Sequence, residues 1–378
     1  MRRICIVLTT RGNFAKMKSA MAAIAAHPQL DLQLVVGGAL MNRQAAIVDE
    51  IRGLGYPIAA TLDYMLASET PAAIAASAAL CLVKATEMLH ALRPDVLMVI
   101  ADRYESLALA QAALHANVRI AHLEGGERSG SIDERIRHAI TKLAHYHFPA
   151  SAEAAERIVR LGEPPESVVA VGSPSFDMLR EGRESGLERL RTRLAETALD
   201  LNRPYLLVSQ HPVVTEYEEA QAQFREIAEA VTELDMPALV IWPNNDAGAD
   251  AIGVALAALQ KRAGGAPLAV VSALPIEEYG AALGAAACLL GNSSSGIREA
   301  AFLGTPAVNV GSRQDNRARA GNVIDVPCRA PDIVEGVRCQ MAHGRYAPDY
   351  RYGHGTAGQK IADVLASYWP PIDKAMTY

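Results

Sequence analysis

Short β-branched runs, separated by alanine-rich stretches with helical spacing, constrain this chain more than any other feature. In the first half the runs are Ile4–Leu8, Leu32–Val36, Val96–Ile100 and Ile120–Leu123. In the second they are Tyr205–Ser209, Ala238–Trp242, Leu268–Val271, Cys288–Leu290 and Ala307–Val310. Short apolar strands alternating with helices are the mark of parallel sheets, whose strands need crossover helices between them. After the first run, Met17, Met21 and Ile24 fall at i, i+4 and i+7 within 14–27, one face of a helix and therefore core packing. The pattern predicts an α/β fold built on parallel sheets.

With 378 residues, half of them hydrophobic and 21% charged, the chain can bury two cores. A boundary is expected between Gly172 and Arg203, where GSPSFD leads into the charge-dense REGRESGLERLRTRLAE. This divides the chain into domains at 1–175 and 176–357. A last helix over 358–369, stopped by Pro370 and Pro371, is expected to return with the rest of 358–378 to the first domain.

Composition narrows the functional classes. A formal net charge of −6 offers no general attraction to nucleic acid or an anionic membrane, so an anionic ligand must be met by a local site. The first apolar run is too brief for a secretory signal, and later ones read as broken by charge or glycine before bilayer-spanning length. Cys5, Cys81, Cys288, Cys328 and Cys339 are odd in number and form no C-x-x-C pair. They read as reduced, mostly buried thiols of a cytoplasmic protein, with no metal site and no cofactor expected.

Open α/β sheets bind ligands at loops that follow strand ends, and four such loops carry the chemistry here. Thr9 to Asn13 offers Gly12 for close backbone approach and Arg11 as a forked cation for phosphate. Ala101 to Glu105 presents Asp102, which fits either a functional carboxylate or the N-cap of the following helix. From His122 to His138 the loop HLEGGERSGSIDERIRH gathers Glu124, Glu127 and Asp133 around two glycines. Ser131 and Glu134 form a capping box that starts a helix near Ile132, with Asp133 and Arg137 at i, i+4. His145 and His147 read as structural residues of an edge strand.

The fourth loop, Gly291 to Glu299, sets small hydroxyl residues at a helix N-terminus, where backbone N–H groups and the helix dipole favour a diphosphate. Glu299 is placed to accept hydrogen bonds from a ribose diol. Loops at Ser209–Pro212 and Pro243–Gly248 end neighbouring strands of the same domain.

The chain resembles the UDP-N-acetylglucosamine 2-epimerase family through nearly its whole length, and within it the hydrolysing branch of bacterial sialic-acid pathways and the animal bifunctional enzyme. DRYE at Asp102, HLEGGERSGSIDERIRHAITKLAHYH from His122, QHPVVT from Gln210, PNNDAG from Pro243 and GNSSSGIREAAFLGTPAVNVGSRQ from Gly291 carry the resemblance. It implies a GT-B-like pair of Rossmann domains with the active site in the interdomain cleft and UDP held mainly by the second domain. Ser293 and Ser294 would hold phosphate and Glu299 the ribose, with Arg11, His211 and Arg313 at the diphosphate and Asn244 nearby. Catalysis would fall to Asp102, Glu124 or Glu127, and Asp133, with Arg103 and Arg137 around the sugar and diphosphate. The implied reaction takes a UDP-HexNAc and water to UDP and N-acetylmannosamine or its analogue, through loss of the C2 proton, departure of UDP and hydration of a glycal. The family also suggests a homodimer or homotetramer.

Several positions facing the sugar depart from the family pattern. Ala39 stands where a histidine is expected, Asn13 where many members carry an acid, Ala15 where a small polar residue is common, and Ala101 where glycine precedes the Asp. A non-hydrolysing epimerase, a GT-B glycosyltransferase and a catalytically inactive nucleotide-sugar sensor are the competing readings. Arg11-Gly12-Asn13 and Asp102-Arg103-Tyr104-Glu105 replace the Arg-Pro-Glu and Gly-Asp-Thr usual in non-hydrolysing relatives, which favours the hydrolysing branch.

Overall fold

A computed structural model describes residues 1–378 except 43, 68–69, 129–131, 244–248, 262–264, 273, 316, 376 and 378. It contains two six-stranded sheets, parallel throughout. The first is built from β1 (Arg2–Leu8), β2 (Leu30–Gly37), β3 (Ile58–Leu62), β4 (Val96–Ile100), β5 (Arg119–Leu123) and β6 (Tyr146–Phe148), in the order β3-β2-β1-β4-β5-β6. The second is built from β7 (Leu206–Ser209), β8 (Ala238–Ile241), β9 (Leu268–Val271), β10 (Cys288–Gly291), β11 (Ala307–Val310) and β12 (Val323–Val326), in the order β12-β11-β10-β7-β8-β9. Both are the doubly wound arrangement in which strand order reverses beside the first strand, so ligand-binding crevices are expected past the ends of β1 and β4 and of β7 and β10.

The strands are apolar on both faces because both faces are covered. Ile4, Ile6 and Leu8 of β1 pack into one core with Met17, Met21 and Ile24, while Cys5 and Val7 point into a second core with Leu97 and Ile120. Leu206 and Val208 of β7 join one core of the second sheet, and Leu207 joins another with Leu239 and Leu289.

The chain divides into two compact units, Met1–Asp177 with Arg351–Tyr378, and Met178–Tyr350. In the first, the closing helix Ala357–Ser367 packs against Arg11–Ala26 so closely that a Cβ on Gly358 would lie 2.5 Å from the Ser19 carbonyl oxygen. Asp177 receives the backbone N–H groups of Ala357 at 3.0 Å and Gly358 at 2.8 Å, anchoring the start of that helix.

Three sequence expectations are corrected. The first helix starts at Arg11 and not at Phe14, because Thr10 is an extended N-cap whose hydroxyl accepts from the Asn13 N–H at 3.2 Å. The helix after the Ser-rich loop is short, Glu299–Leu303, preceded by a single 3-10 turn at Ser294–Gly296. The helix Ala72–Leu92 is long and apolar enough to cross a membrane by length and composition, although the sequence reads as lacking such a stretch. Its inward face, with Cys81, Ala85, Met88 and Leu89, belongs to the core of the first unit, and Ile74, Leu80 and Val83 on its other positions are exposed.

Candidate active site

At the end of β4 the backbone turns through Ala101 in the left-handed region at φ +56°, and at the end of the adjacent β5 Glu124 does the same at φ +60°. Side chains with a Cβ are strained there, and such outliers are held only by their surroundings. The Ala101 N–H donates to the Leu123 carbonyl at 2.9 Å, and that of Glu124 to the Phe148 carbonyl at 3.0 Å. His122 donates through Nε2 to the Ala101 carbonyl at 2.8 Å, so this nitrogen carries the proton. Burial drives the His122 pKa down to about 3, which keeps the ring neutral.

The turn delivers Asp102 to Arg137. Helix Tyr104–His115 has Arg103 at its N-cap with no side-chain capping bond, so Asp102 is not the cap that the sequence left open. Its carboxylate is instead hydrogen-bonded to Nη2 of Arg137, which lies buried on the helix Ile132–Leu143 and also donates through Nη1 to the Glu127 carbonyl at 2.7 Å. The pairing matches the buried charge of Arg137 and holds both side chains in one geometry.

Glu124 is buried as well, with Lys16 Nζ at 2.6 Å from one oxygen and the Ser173 hydroxyl at 3.4 Å from the other. Glu127 Oε1 is buried without a hydrogen-bond partner among the described residues, while Asp133 is exposed in the first turn of Ile132–Leu143. The turn between Glu124 and Glu127 depends on Gly126 at φ +77°, where a Cβ would fall 2.3 Å from the Ala154 carbonyl oxygen. Ser131, the expected cap, lies outside the described residues.

Arg103 and Arg11 complete this end of the sheet. Arg103 donates through Nε to Glu105 Oε1 at 2.5 Å, with nearly half of its side chain exposed. Arg11 is exposed at the first position of its helix, its N–H bonded to Gln44 Oε1 at 2.7 Å. His145 and His147 lie elsewhere. His145 accepts the Ile120 N–H through Nδ1 at 3.1 Å, and His147 pairs with the buried Glu163 at 3.1 Å, both structural contacts.

In the second unit the loops after β7 and β10 are tied to each other. Asn292 accepts the His211 N–H at 2.8 Å and donates to the His211 carbonyl at 2.8 Å. The Asn292 carbonyl in turn receives Arg313 Nη1 at 3.2 Å and Gln314 Nε2 at 2.8 Å. Gly291 permits this at φ +130°, since a Cβ would lie 2.3 Å from the Ser209 carbonyl oxygen. Ser293 caps the 3-10 turn by accepting the Ser295 N–H at 3.3 Å, Ser294 opens that turn, and Glu299 is buried at the start of the next helix. His211, Arg313 and the segment of Ser293 and Ser294 are thus joined through Asn292, with Glu299 one short turn further along the chain, whereas Asn244 lies outside the described residues.

Lys16, His122 and Glu105 are the residues at this site that the sequence did not single out. Glu105 stands in the quoted DRYE, but nothing in the sequence tells that its side chain turns inward. Lys16 and Glu124 are 108 positions apart and meet only through the fold.

The pattern of the family described as UDP-N-acetylglucosamine 2-epimerase matches residues 22–366. The UDP-N,N'-diacetylbacillosamine 2-epimerase (hydrolyzing) of Legionella pneumophila is 32% identical over 96% of this chain and 95% of its own length. The UDP-N-acetylglucosamine 2-epimerase of Neisseria meningitidis is 29% identical over 97% of this chain and 95% of its own. The crystal structure of the Neisseria meningitidis UDP-GlcNAc 2-epimerase bound to UDP-GlcNAc superposes with a TM-score of 0.80 at 16% identity, covering 97% of this chain and all of that one. At that identity the superposition speaks for the GT-B-like fold. A family match across nearly the whole sequence, with a full-length relative at 32% identity, makes this chain a member of the UDP-N-acetylglucosamine 2-epimerase family.

Proposed function

We propose that the protein is a hydrolysing 2-epimerase that converts UDP-N-acetylglucosamine, or a related UDP-HexNAc, and water to UDP and the free sugar inverted at C2. The observation that carries this reading is the Asp102–Arg137 pair at the end of β4 with Glu124 at the end of the adjacent β5, in a chain that aligns end to end with an enzyme named as hydrolysing.

The residues suit each step. A carboxylate among Asp102, Glu124, Glu127 and Asp133 takes the C2 proton, the C1–O bond to UDP breaks, and the electron pair from C2 forms the C1–C2 double bond of a glycal. Water then adds its oxygen to C1 while C2 is protonated from the other face. Arg137, Arg103 and Arg11 offset the charge that gathers on the departing diphosphate, together with the backbone N–H groups around Ser293 and Ser294. Glu299 holds the ribose, and His211 and Arg313 contact the diphosphate, with Asn244 nearby.

A second reading of the sugar has a specific basis: the bacillosamine enzyme is 32% identical to this chain and the N-acetylglucosamine enzyme 29%. It takes UDP-N,N'-diacetylbacillosamine as the substrate. Ala39, Asn13, Ala15 and Ala101, which depart from the family pattern, are the residues that would accommodate it. We further propose a cytoplasmic homodimer or homotetramer, in which the exposed Ile74, Leu80 and Val83 are covered by a second copy.

Incubation with both UDP-sugars in D2O containing H2(18)O tests the reaction by NMR and mass spectrometry. Free sugar with deuterium at C2 and labelled oxygen at C1, released in step with UDP, is expected. An inverted sugar still bonded to UDP would assign the non-hydrolysing reaction instead.

A further inference from the structure

Glu105 occupies an unusual place for a carboxylate. It lies in the first turn of Tyr104–His115, where an acidic side chain ordinarily faces solvent and complements the helix dipole. Here the side chain is almost fully buried and turns toward β1. Oε1 accepts two donors, the Thr9 hydroxyl at 3.1 Å and Arg103 Nε at 2.5 Å. Among the described residues, Oε2 and the hydroxyl of Tyr64 are buried with no hydrogen-bond partner. Orphaning one oxygen of a buried carboxylate works against stability, so the fold gains nothing from this placement that a neutral residue would not give more cheaply.

What the arrangement does gain is a fixed guanidinium. Glu105 is the main reason that the Arg103 pKa is raised, and its charge also helps to push up Tyr64, after burial. Pinning Arg103 at Nε leaves its two terminal nitrogens without a hydrogen bond among the described residues, on a side chain that is nearly half exposed and lies over the Tyr104 ring. Those nitrogens are the pair that meets two phosphate oxygens in a forked contact. A guanidinium held in place before the ligand arrives loses less freedom on binding and reorganises less as charge develops.

We propose that Glu105, supported by Thr9, is a positioning residue that orients Arg103 toward the diphosphate of the leaving nucleotide. The role rests on the epimerase reading above for its ligand, but on the geometry alone for the Glu105–Arg103 coupling.

A double-mutant cycle of Glu105→Gln and Arg103→Met on the full chain, read as kcat/KM for UDP release, tests the coupling. Glu105→Gln should lower kcat/KM roughly 10- to 100-fold, Arg103→Met at least as much, and the double variant should fall no more than about threefold below Arg103→Met. Losses that multiply across the cycle would overturn the proposal, because Glu105 would then act independently of Arg103. Thr9→Val removes one donor from the same oxygen and keeps the charge, so it carries the test if Glu105→Gln fails to fold. It should cost about two- to fivefold in wild type and nothing further in the Arg103→Met background. Hydrogen exchange at Arg103 Nε, followed by 15N NMR without any ligand, separates this idea from the epimerase reading. Exchange should speed up about tenfold or more in Glu105→Gln or Thr9→Val, and unchanged exchange in both would also overturn the positioning role. A wild-type protein that turns over no UDP-sugar yet shows this protection would refute the reaction and leave the positioning intact.

Discussion

The Nε2 of His122 holds the carbonyl of Ala101 at 2.8 Å across two adjacent strands, fixing a left-handed alanine immediately before Asp102. An alanine at φ +56° is strained, and glycine is the residue that relieves it. Ala101→Gly should therefore stabilise the first unit by about 0.5–1 kcal/mol after the entropy of the unfolded glycine is counted, a gain of roughly 1–4 °C in Tm. Calorimetry of the two proteins decides it, and a lower Tm for the glycine variant would mean that the strain is relieved elsewhere.

His122 also sets an acid sensitivity. Its ordinary pKa of 6.5 falls to about 3 in the folded protein. Between those values the unfolded chain binds a proton that the folded chain refuses, so stability declines as pH drops from 6.5 toward 3, by up to about 1.4 kcal/mol per pH unit. His145 and His147, also lowered chiefly by burial, act in the same direction. Urea unfolding at pH 7, 6 and 5 should show a shallower decline for His122→Gln, whose amide still reaches the carbonyl. Equal slopes for the two proteins would count against a neutral buried imidazole.

Asp102 is not a helix cap but the partner of the buried Arg137, so Asp102→Asn, which keeps an oxygen to accept from that guanidinium, tests the chemistry with unfolding measured beside it. Asp102→Asn should reduce kcat by about 10²–10⁴ with UDP affinity within about threefold of wild type. Steady-state kinetics alongside UDP titration calorimetry gives both numbers. Near-normal kcat would remove Asp102 from the reaction.

UDP alone should stabilise the protein through the Ser293, Ser294 and Glu299 frame, by about 2.7 kcal/mol at 100 times its Kd. Glu299→Gln should shrink the thermal shift markedly at the same UDP concentration. A full shift in the variant, or a larger response to GDP than to UDP, would reassign the nucleotide contact.

Val83 is 58% exposed on a helix whose other face is core. Replacing it with Glu should leave the monomer fold intact and reduce the sedimentation coefficient if copies of the chain meet there. Identical sedimentation of the two proteins would place the interface elsewhere.

The central strands were legible, since Val96–Ile100 and Cys288–Leu290 are apolar runs, and so was one edge, Leu268–Val271. The strands that escaped sequence reading are edges. Ile58–Leu62 carries two alanines, Tyr146–Phe148 is three residues long, and Val323–Val326 includes Asp325, whose side chain accepts from Asn309 at 2.7 Å. Edge strands need bury only part of their surface, so their composition carries less signal. The loops around Asp102, Glu124 and Ser293 stood out because polar residues cluster past apolar strand ends. Their pairings did not, because Lys16 and Arg137 reach Glu124 and Asp102 from helices whose orientation only the assembled sheet decides.

The helix Ala357–Ser367 that packs on Arg11–Ala26 has a consequence for biosynthesis. Residues 178–350 are in effect an insertion within the first unit, and they leave the ribosome before its last helix does. The second unit can fold before residues 357–367 have been made, whereas the first waits for them with its helix Arg11–Ala26 uncovered around Ser19. The order of completion is therefore the reverse of the order of translation, and chaperones that shield apolar helices would be needed longest by the part of the chain that was made first.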